Sequence, residues 1–127
     1  MKAPTPSELE ILHFLWQQGE ARVQEINHAL NQNPNQKRLI GYTTTLKLTQ
    51  LMHEKKLVGR RKEGKSHIYF PLVEEGETKS SLVSRFVDIT FGGSSARLVM
   101  QLLGNKKISK AEIKEIRDYL NEIEGEK

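Results

Sequence analysis

The side chains best suited to chemistry in this sequence lie in one stretch, residues 41–58, and their chemistry is hydrogen bonding rather than catalysis. On a helix that begins near Thr43, the outward face carries Thr43, Lys47, Gln50 and Glu54. Short hydroxyl and amide side chains beside a lysine suit the base edges and phosphates of duplex DNA. The stretch is therefore predicted to be a DNA recognition helix. The residues predicted to pack inward are Thr45, Leu48, Thr49, Met52 and Lys56.

Positive charge is concentrated in the same region. The formal net charge of the chain is +4, and residues 41–66 hold seven basic and two acidic side chains. Residues 1–40 are balanced, and residues 67–127 carry one more acidic than basic residue. A local block of cations indicates a polyanionic partner, and we expect double-stranded DNA. RNA is a weaker alternative, because no aromatic stacking platform accompanies the block.

A β-hairpin is predicted directly after the recognition helix. Residues 57–62 and 67–72 have strand character, and Gly64 supplies the tight turn between them. Three helices followed by a basic hairpin are the layout of a winged helix, so the fold class is mainly α with a small β-hairpin. In that layout the wing directs its cations toward phosphates or a minor groove. Those cations are Arg60, Arg61, Lys62 and Lys65.

Two helices are predicted before the recognition helix. Thr5-Pro6-Ser7-Glu8 is a capping box, and the apolar residues Leu9, Leu12 and Trp16 mark the first helix, which Gly19 ends. Ile11 and Leu15 widen its apolar stripe. A second, short helix follows from the spacing of its apolar residues, which are Val23, Ile26 and Leu30. The polar segment 31–38 reads as a loop. Its cations Lys37 and Arg38 either meet DNA backbone or lie in a solvated loop, and the two interpretations are equally supported.

One apparent enzyme motif is spurious. Residues 59–66 match the phosphate-loop pattern GxxxxGK[ST], but that loop works only between a buried strand and a helix. Here the strand-like residues 67–70 and Pro71 follow. The chain has no cysteine and no HExxH spacing among its four histidines, so no catalytic residues, metal site or cofactor are predicted. We expect a protein that is not an enzyme.

The C-terminal part is predicted to be helical and to dimerise. The polar segment 74–79 is the best boundary, giving a DNA-binding domain 1–74 and a dimerisation domain 75–127. About fifty residues with this much apolar surface cannot easily bury it alone, so a homodimer is favoured over a packed monomeric tail. The residues predicted to form the dimer contact are Phe86, Phe91, Leu98, Leu102, Ile113, Ile116, Leu120 and Ile123.

The expected cellular location rests on the absence of a membrane-span pattern and of a secretory-signal pattern. No apolar run approaches the roughly 18 residues of a membrane span. Residues 1–10 contain no apolar core of the kind that a secretory signal needs. A cytoplasmic protein without membrane contact is the expectation.

Taken together, the segments resemble the penicillinase-repressor (BlaI/MecI) family of bacterial transcription regulators. The resemblance rests on the order and spacing of short pieces along nearly the whole chain. They are Ser7-Glu8-Leu9-Glu10 through Leu15-Trp16, Gly41-Tyr42-Thr43-Thr44 through Glu54-Lys55, Leu57-Val58, Tyr69-Phe70-Pro71-Leu72-Val73, Phe91-Gly92-Gly93 and Leu98-Val99.

The resemblance implies a winged-helix repressor that binds inverted-repeat operators as a homodimer. It also implies base and backbone contacts at the start of the recognition helix, on Gly41, Tyr42, Thr43, Thr44 and Lys47. The family often has basic side chains where this chain has Leu46 and Leu51, so operator preference is expected to differ.

Two further departures concern induction. Family members that respond to β-lactams are cut at an Asn-Phe bond, and the matching positions here are Gln101-Leu102, which argues against that response. A copper-responsive branch uses a cysteine-rich C-terminus, which this chain lacks.

A protein-interaction module is the alternative function from a different class. In that reading the basic winged helix docks on an acidic protein surface, and the C-terminal helices hold the oligomer together. Competition with duplex DNA separates the two readings.

Overall fold

A computed structural model of the chain describes residues 3–34, 38–105 and 107–125. It is mainly helical with a small antiparallel sheet, which confirms the predicted fold class. The chain forms two compact units, residues 1–80 and 81–127. The elements in chain order are α1 (Pro6–Gln18), β1 (Ala21–Arg22), α2 (Val23–Asn31), α3 (Tyr42–Glu54), β2 (Val58–Glu63), β3 (Ser66–Pro71), α4 (Glu75–Thr90), α5 (Ser95–Gly104) and α6 (Lys110–Gly125).

Helix α1 begins at the predicted capping box. The Glu8 amide donates to Thr5 Oγ1 at 3.2 Å, and the Thr5 amide donates to Glu8 Oε1 at 2.9 Å. Gly19, with φ 89°, ends the helix. Three residues of the predicted stripe form its buried part, and the other two lie at its margins. Leu9 and Trp16 are only partly buried, whereas Ile11, Leu12 and Leu15 are fully buried.

The three-helix cluster and the sheet share one hydrophobic core. Burying these side chains removes apolar surface from water, which supplies most of the stability of such a small unit. The Trp16 indole closes one edge by donating to the Val73 carbonyl at 3.1 Å. The core residues are Ile11, Leu12, Leu15, Ala21, Val23, Ile26, Leu30, Met52, Leu57, Val58 and Tyr69.

The sheet has three strands in the order β1-β3-β2, all antiparallel. The predicted hairpin is present, with each strand displaced by one residue and with Gly64 at φ 64° in the two-residue turn. Strand β1 was not predicted. It has two residues, Ala21 and Arg22, which pair with Tyr69 and Ile68 of β3. So short a strand has no alternating pattern to read.

Helix α4 begins inside the segment predicted to be a polar break. That prediction is wrong for residues 75–79, which form its first turns. The Glu74 carboxylate accepts hydrogen bonds from the Gly76 and Glu77 amides at 3.1 and 2.6 Å, and Lys79 pairs with Glu75 one turn away. A carboxylate at a helix start satisfies amides that have no partner within the helix.

The second unit contains the remaining predicted helices. Gly92 and Gly93, with φ 57° and 84°, separate α4 from α5. The predicted capping box of α6 is present, because the Glu112 amide donates to Ser109 Oγ at 3.1 Å and the Ser109 amide donates to Glu112 Oε1 at 3.3 Å. Among the described residues, no helix combines the length and apolar character needed to cross a membrane.

Candidate nucleic-acid interface

Helix α3 has one buried and one exposed face. It begins at Tyr42, one residue before the predicted start, and its inner side chains Thr45, Thr49 and Met52 are fully buried. The predicted inward position of Lys56 is wrong. The helix ends at Glu54, and Lys56 follows it in a left-handed conformation, φ 66°, with an exposed side chain.

The exposed face presents the predicted hydrogen-bonding groups over its first two and a half turns. Tyr42 is 51% exposed, and the other side chains of this face are also in the exposed class. Because a helix fits the major groove of B-DNA, such a face can contact base edges and flanking phosphates together. These side chains are Tyr42, Thr43, Thr44, Lys47 and Gln50.

The start of α3 has no side-chain cap. Gly41 is its N-cap, makes no side-chain hydrogen bond to the helix, and is followed by a first turn without an acidic residue. The first amides of a helix have no acceptor within the helix and carry partial positive charge. In contrast, Thr5 caps α1, Ser94 caps α5 and Ser109 caps α6. The exposed start of α3 is thus free to contact an anion.

Two asparagines of α2 fix the entry into α3. Asn27 Nδ2 donates to the Ile40 carbonyl at 2.8 Å and to Thr45 Oγ1 at 2.9 Å. Asn31 accepts from the Ile40 amide at 2.7 Å and donates to its carbonyl at 3.0 Å. The backbone amide and carbonyl of Ile40 therefore both have hydrogen-bond partners in α2. This network holds the first turn of α3 in a defined position, and the sequence did not reveal it.

A nearly buried ion pair fixes the other end of α3. Lys55 Nζ lies 2.9 Å from both carboxylate oxygens of Glu8, whose side chain is only 2% exposed. Burial alone raises the pKa of Glu8, but the hydrogen bonds from Lys55 and from the Thr5 amide outweigh it and bring that pKa below its ordinary value of 4.5. Lys55 therefore has a structural partner within the fold.

The wing has two faces of different character. Antiparallel pairing sets Arg60 opposite Tyr69 and Lys62 opposite His67. Since successive residues of a strand point to opposite sides, these four side chains share one face. Arg60 Nη1 lies 3.5 Å from the Tyr69 hydroxyl. This face carries two of the predicted DNA-binding cations.

Arg61 lies on the other face and is paired within the protein. Its Nη1 and Nη2 atoms donate to the two Glu20 carboxylate oxygens at 2.8 and 2.7 Å, and Glu63 lies 3.6 Å away. The hydrogen bonds from Arg61 lower the pKa of Glu20, and the same contact raises the pKa of Arg61. Glu63 also accepts from Arg22 at 3.0 Å. This four-residue ion network was not visible in the sequence.

The seven basic side chains of residues 41–66 therefore fall into two groups, those with a carboxylate partner among the residues that the structure describes and those without one. Lys55 and Arg61 have carboxylate partners. Within the described ranges 3–34, 38–105 and 107–125, the other five cations of residues 41–66 form no ion pair. They are Lys47, Lys56, Arg60, Lys62 and Lys65.

The two leucines from which a different operator preference is expected, Leu46 and Leu51, take different positions. Leu46 is partly buried and packs against the core, whereas Leu51 is 41% exposed. Of the two cations predicted before α3, Lys37 lies outside the described residues and Arg38 is exposed. Leu39 is 85% exposed, which the sequence did not predict.

The second unit leaves apolar side chains uncovered. None of the side chains of α5 and α6 in the described chain is buried, and in α4 only Val87 is. The Phe86 and Phe91 rings meet edge to face with centroids 6.0 Å apart. Of the predicted dimer residues, Phe91, Leu98 and Ile116 are partly buried. The exposed ones are Phe86, Leu102, Ile113, Leu120 and Ile123.

Comparison with known proteins identifies the family of this chain. The penicillinase repressor family model matches residues 4–122. The methicillin resistance regulatory protein MecI of Staphylococcus aureus (strain N315) is 27% identical over 115 residues, which cover 91% of this chain and 90% of that protein. The penicillinase repressor of Staphylococcus aureus is 24% identical over 117 residues, which cover 92% of this chain and 90% of that protein.

A solved structure has a similar fold over part of the chain. The DNA binding domain of the repressor BlaI matches with a TM-score of 0.50 and 20% sequence identity, over 60% of this chain and 90% of that domain. The family model extends across both units and includes α3, the wing and most of α6. The chain belongs to the penicillinase repressor family.

Proposed function

We propose that this chain is a sequence-specific DNA-binding transcriptional repressor that acts in the cytoplasm as a homodimer on inverted-repeat operators. The observation that carries the proposal is the exposed face of α3. It combines a helix start that has no side-chain cap with hydroxyl, amide and ammonium donors, while the opposite face is buried. Membership of the penicillinase repressor family supports the same function.

Within this proposal the residues have separate roles. Thr43, Thr44 and Gln50 contact base edges, because their short or planar polar groups can form directed hydrogen bonds in the major groove. Lys47, the amides after Gly41 and the Tyr42 hydroxyl contact the backbone, which positions the helix. The wing adds phosphate contacts through Arg60, Lys62 and Lys65. We assign Arg61 a supporting role, because Glu20 already binds its guanidinium group.

The uncovered side chains of α4 to α6 support the homodimer. Exposed apolar side chains in this number are stabilised by a second copy, and a two-fold axis makes the same surface face itself. We place the boundary between a DNA-binding domain 1–74 and a dimerisation domain 75–127 at the start of α4. Two recognition helices related by such an axis would read half-sites about 34–36 Å apart, or a multiple of that spacing.

A triple variant, Thr43→Ala with Thr44→Ala and Lys47→Ala, tests the assignment of α3. Its affinity for an operator fragment selected from genomic DNA should fall at least about tenfold, because several base and phosphate contacts are lost. The single change Lys47→Ala should also reduce the salt slope of log K by roughly 0.9, the value for one phosphate contact. Lys110→Ala, an exposed lysine of α6, is the control. Normal operator binding by the triple variant would refute the proposal.

A further inference from the structure

A polar pocket lies between α2, α3 and the turn of the wing. Its volume is about 260 Å³. Liquid water occupies roughly 30 Å³ per molecule, so the pocket has room for a group of several heavy atoms. All three elements belong to the first unit. The polar residues that line it are Arg22, Gln24, Tyr42, Lys65, Ser66 and His67.

The chemistry of the lining selects an anion. Every polar side chain in it can donate a hydrogen bond, and no carboxylate is part of the lining. Glu63 accepts from Arg22 Nη2 at 3.0 Å, so that arginine already has one partner. The ammonium group of Lys65 has no ion-pair partner in the part of the chain that the structure describes. The pocket therefore offers positive charge and several uncharged donors.

The pocket also has an apolar part. Leu46, which is partly buried, contributes most of this part, and the buried residues Val23 and Tyr69 lie behind it. The His67 ring meets the Tyr69 ring edge to face with centroids 6.3 Å apart. A ligand that pairs an apolar ring with an anionic group matches such a wall better than a bare inorganic ion does. The pocket is continuous with the proposed DNA surface, because Tyr42 and Lys65 belong to both.

We propose that this pocket receives one deoxyribose-phosphate unit of the DNA backbone. The sugar packs on Leu46, and the phosphate accepts hydrogen bonds from Gln24, Lys65 and His67. This inference rests on the proposed DNA-binding function and adds Gln24 and His67 to the binding residues. The contact is independent of base sequence, so it fixes the angle between α3 and the duplex rather than choosing the operator.

The test compares Gln24→Ala and His67→Ala with matched changes on α1, Gln17→Ala and His13→Ala. All four side chains belong to the first unit, and Gln17 and His13 are exposed away from the pocket. Binding of the full chain to a labelled 30-base-pair duplex of mixed sequence is measured by fluorescence anisotropy. Each pocket variant should weaken binding about three- to tenfold, the effect of one lost hydrogen bond, while the controls stay within about twofold. Urea denaturation checks that all four variants fold.

The outcomes separate this inference from the proposed function. If Lys47→Ala weakens binding to the same duplex but both pocket variants bind like the wild type, the pocket assignment is wrong and the proposed function stands. If none of the proteins binds duplex DNA, the proposed function fails. A thermal shift with deoxythymidine monophosphate that His67→Ala removes, without any effect of that variant on duplex binding, would assign the pocket to a free nucleotide and overturn the inference.

Discussion

Replacing Lys55 by methionine should destabilise the winged-helix unit by more than replacing its partner. Lys55→Met keeps most of the length of the side chain but leaves the Glu8 carboxylate 2% exposed, with the Thr5 amide as its remaining partner. Breaking a fully buried pair costs about 3–5 kcal/mol. Because the Lys55 side chain is 24% exposed, water can partly replace the ammonium group. We therefore expect a loss of about 2–3 kcal/mol in the free energy of unfolding.

The prediction is tested most stringently by the sign of the coupling energy between the Lys55 and Glu8 substitutions. Glu8→Gln removes the charge, keeps the shape and should cost about 1 kcal/mol, since Lys55 can turn toward solvent. Adding Glu8→Gln to Lys55→Met should restore stability, because no uncompensated buried charge remains. Urea denaturation followed by fluorescence of Trp16, the only tryptophan and a residue of the same unit, measures all four proteins. Additive losses in the double variant would refute the reasoning.

The same pair predicts a pH dependence. The pKa of Glu8 in the folded protein lies below its ordinary value of 4.5. A carboxyl group of this kind stabilises the fold fully above its unfolded pKa, and the contribution is lost as the pH falls through its folded pKa. Wild-type stability should therefore decrease on acidification below pH 4.5, and the decrease should be smaller in the Glu8→Gln variant. Equal slopes in the two proteins would show that Glu8 is not the responsible group.

Three further predictions concern single residues. Asn27→Ala removes the hydrogen bonds to the Ile40 carbonyl and to Thr45. It should therefore cost about 1–3 kcal/mol of stability in urea denaturation and also weaken DNA binding. Unchanged stability together with unchanged DNA binding would contradict the anchoring role. Lys56→Gly should raise stability by up to about 1 kcal/mol, since glycine adopts φ 66° without strain, and a lower denaturation midpoint would contradict this. Leu120→Asp should convert a dimer to a monomer in sedimentation experiments, whereas Asn121→Asp should not; equal behaviour would move the dimer contact elsewhere.

Local signals in the sequence were sufficient for much of the fold. The capping residues Thr5 and Ser109 begin the helices that they predicted, because a cap depends on neighbours within one turn. The hairpin follows from Gly64 between two strand-like runs. The GxxxxGK[ST] match at residues 59–66 lies in this hairpin, and strand β3 rather than a helix follows its turn. The strand that follows the motif therefore excludes a phosphate-binding loop there, although the residue pattern matches.

Contacts between residues far apart in the chain were not predictable. From the sequence, Arg61 is predicted to be a wing cation available to DNA. In the structure, Glu20, 41 positions away, binds it through two hydrogen bonds. Asn27 looks like a polar surface residue of a short helix until the fold brings Ile40 beside it. The start of α4 was missed for a different reason. A glutamate-rich segment resembles a linker in composition, although a carboxylate just before a helix satisfies its first amides.

The central claim is that the exposed face of α3 reads DNA sequence, and selection from a random duplex library tests it most directly. The full-length protein should enrich an inverted repeat whose half-site centres lie about 10 base pairs, or a multiple of one turn, apart. The folded Thr43→Ala, Thr44→Ala, Lys47→Ala variant should lose that enrichment while keeping weak, salt-sensitive binding through the wing. Enrichment of the same motif by both proteins, or of no motif by the wild type, would contradict the assignment.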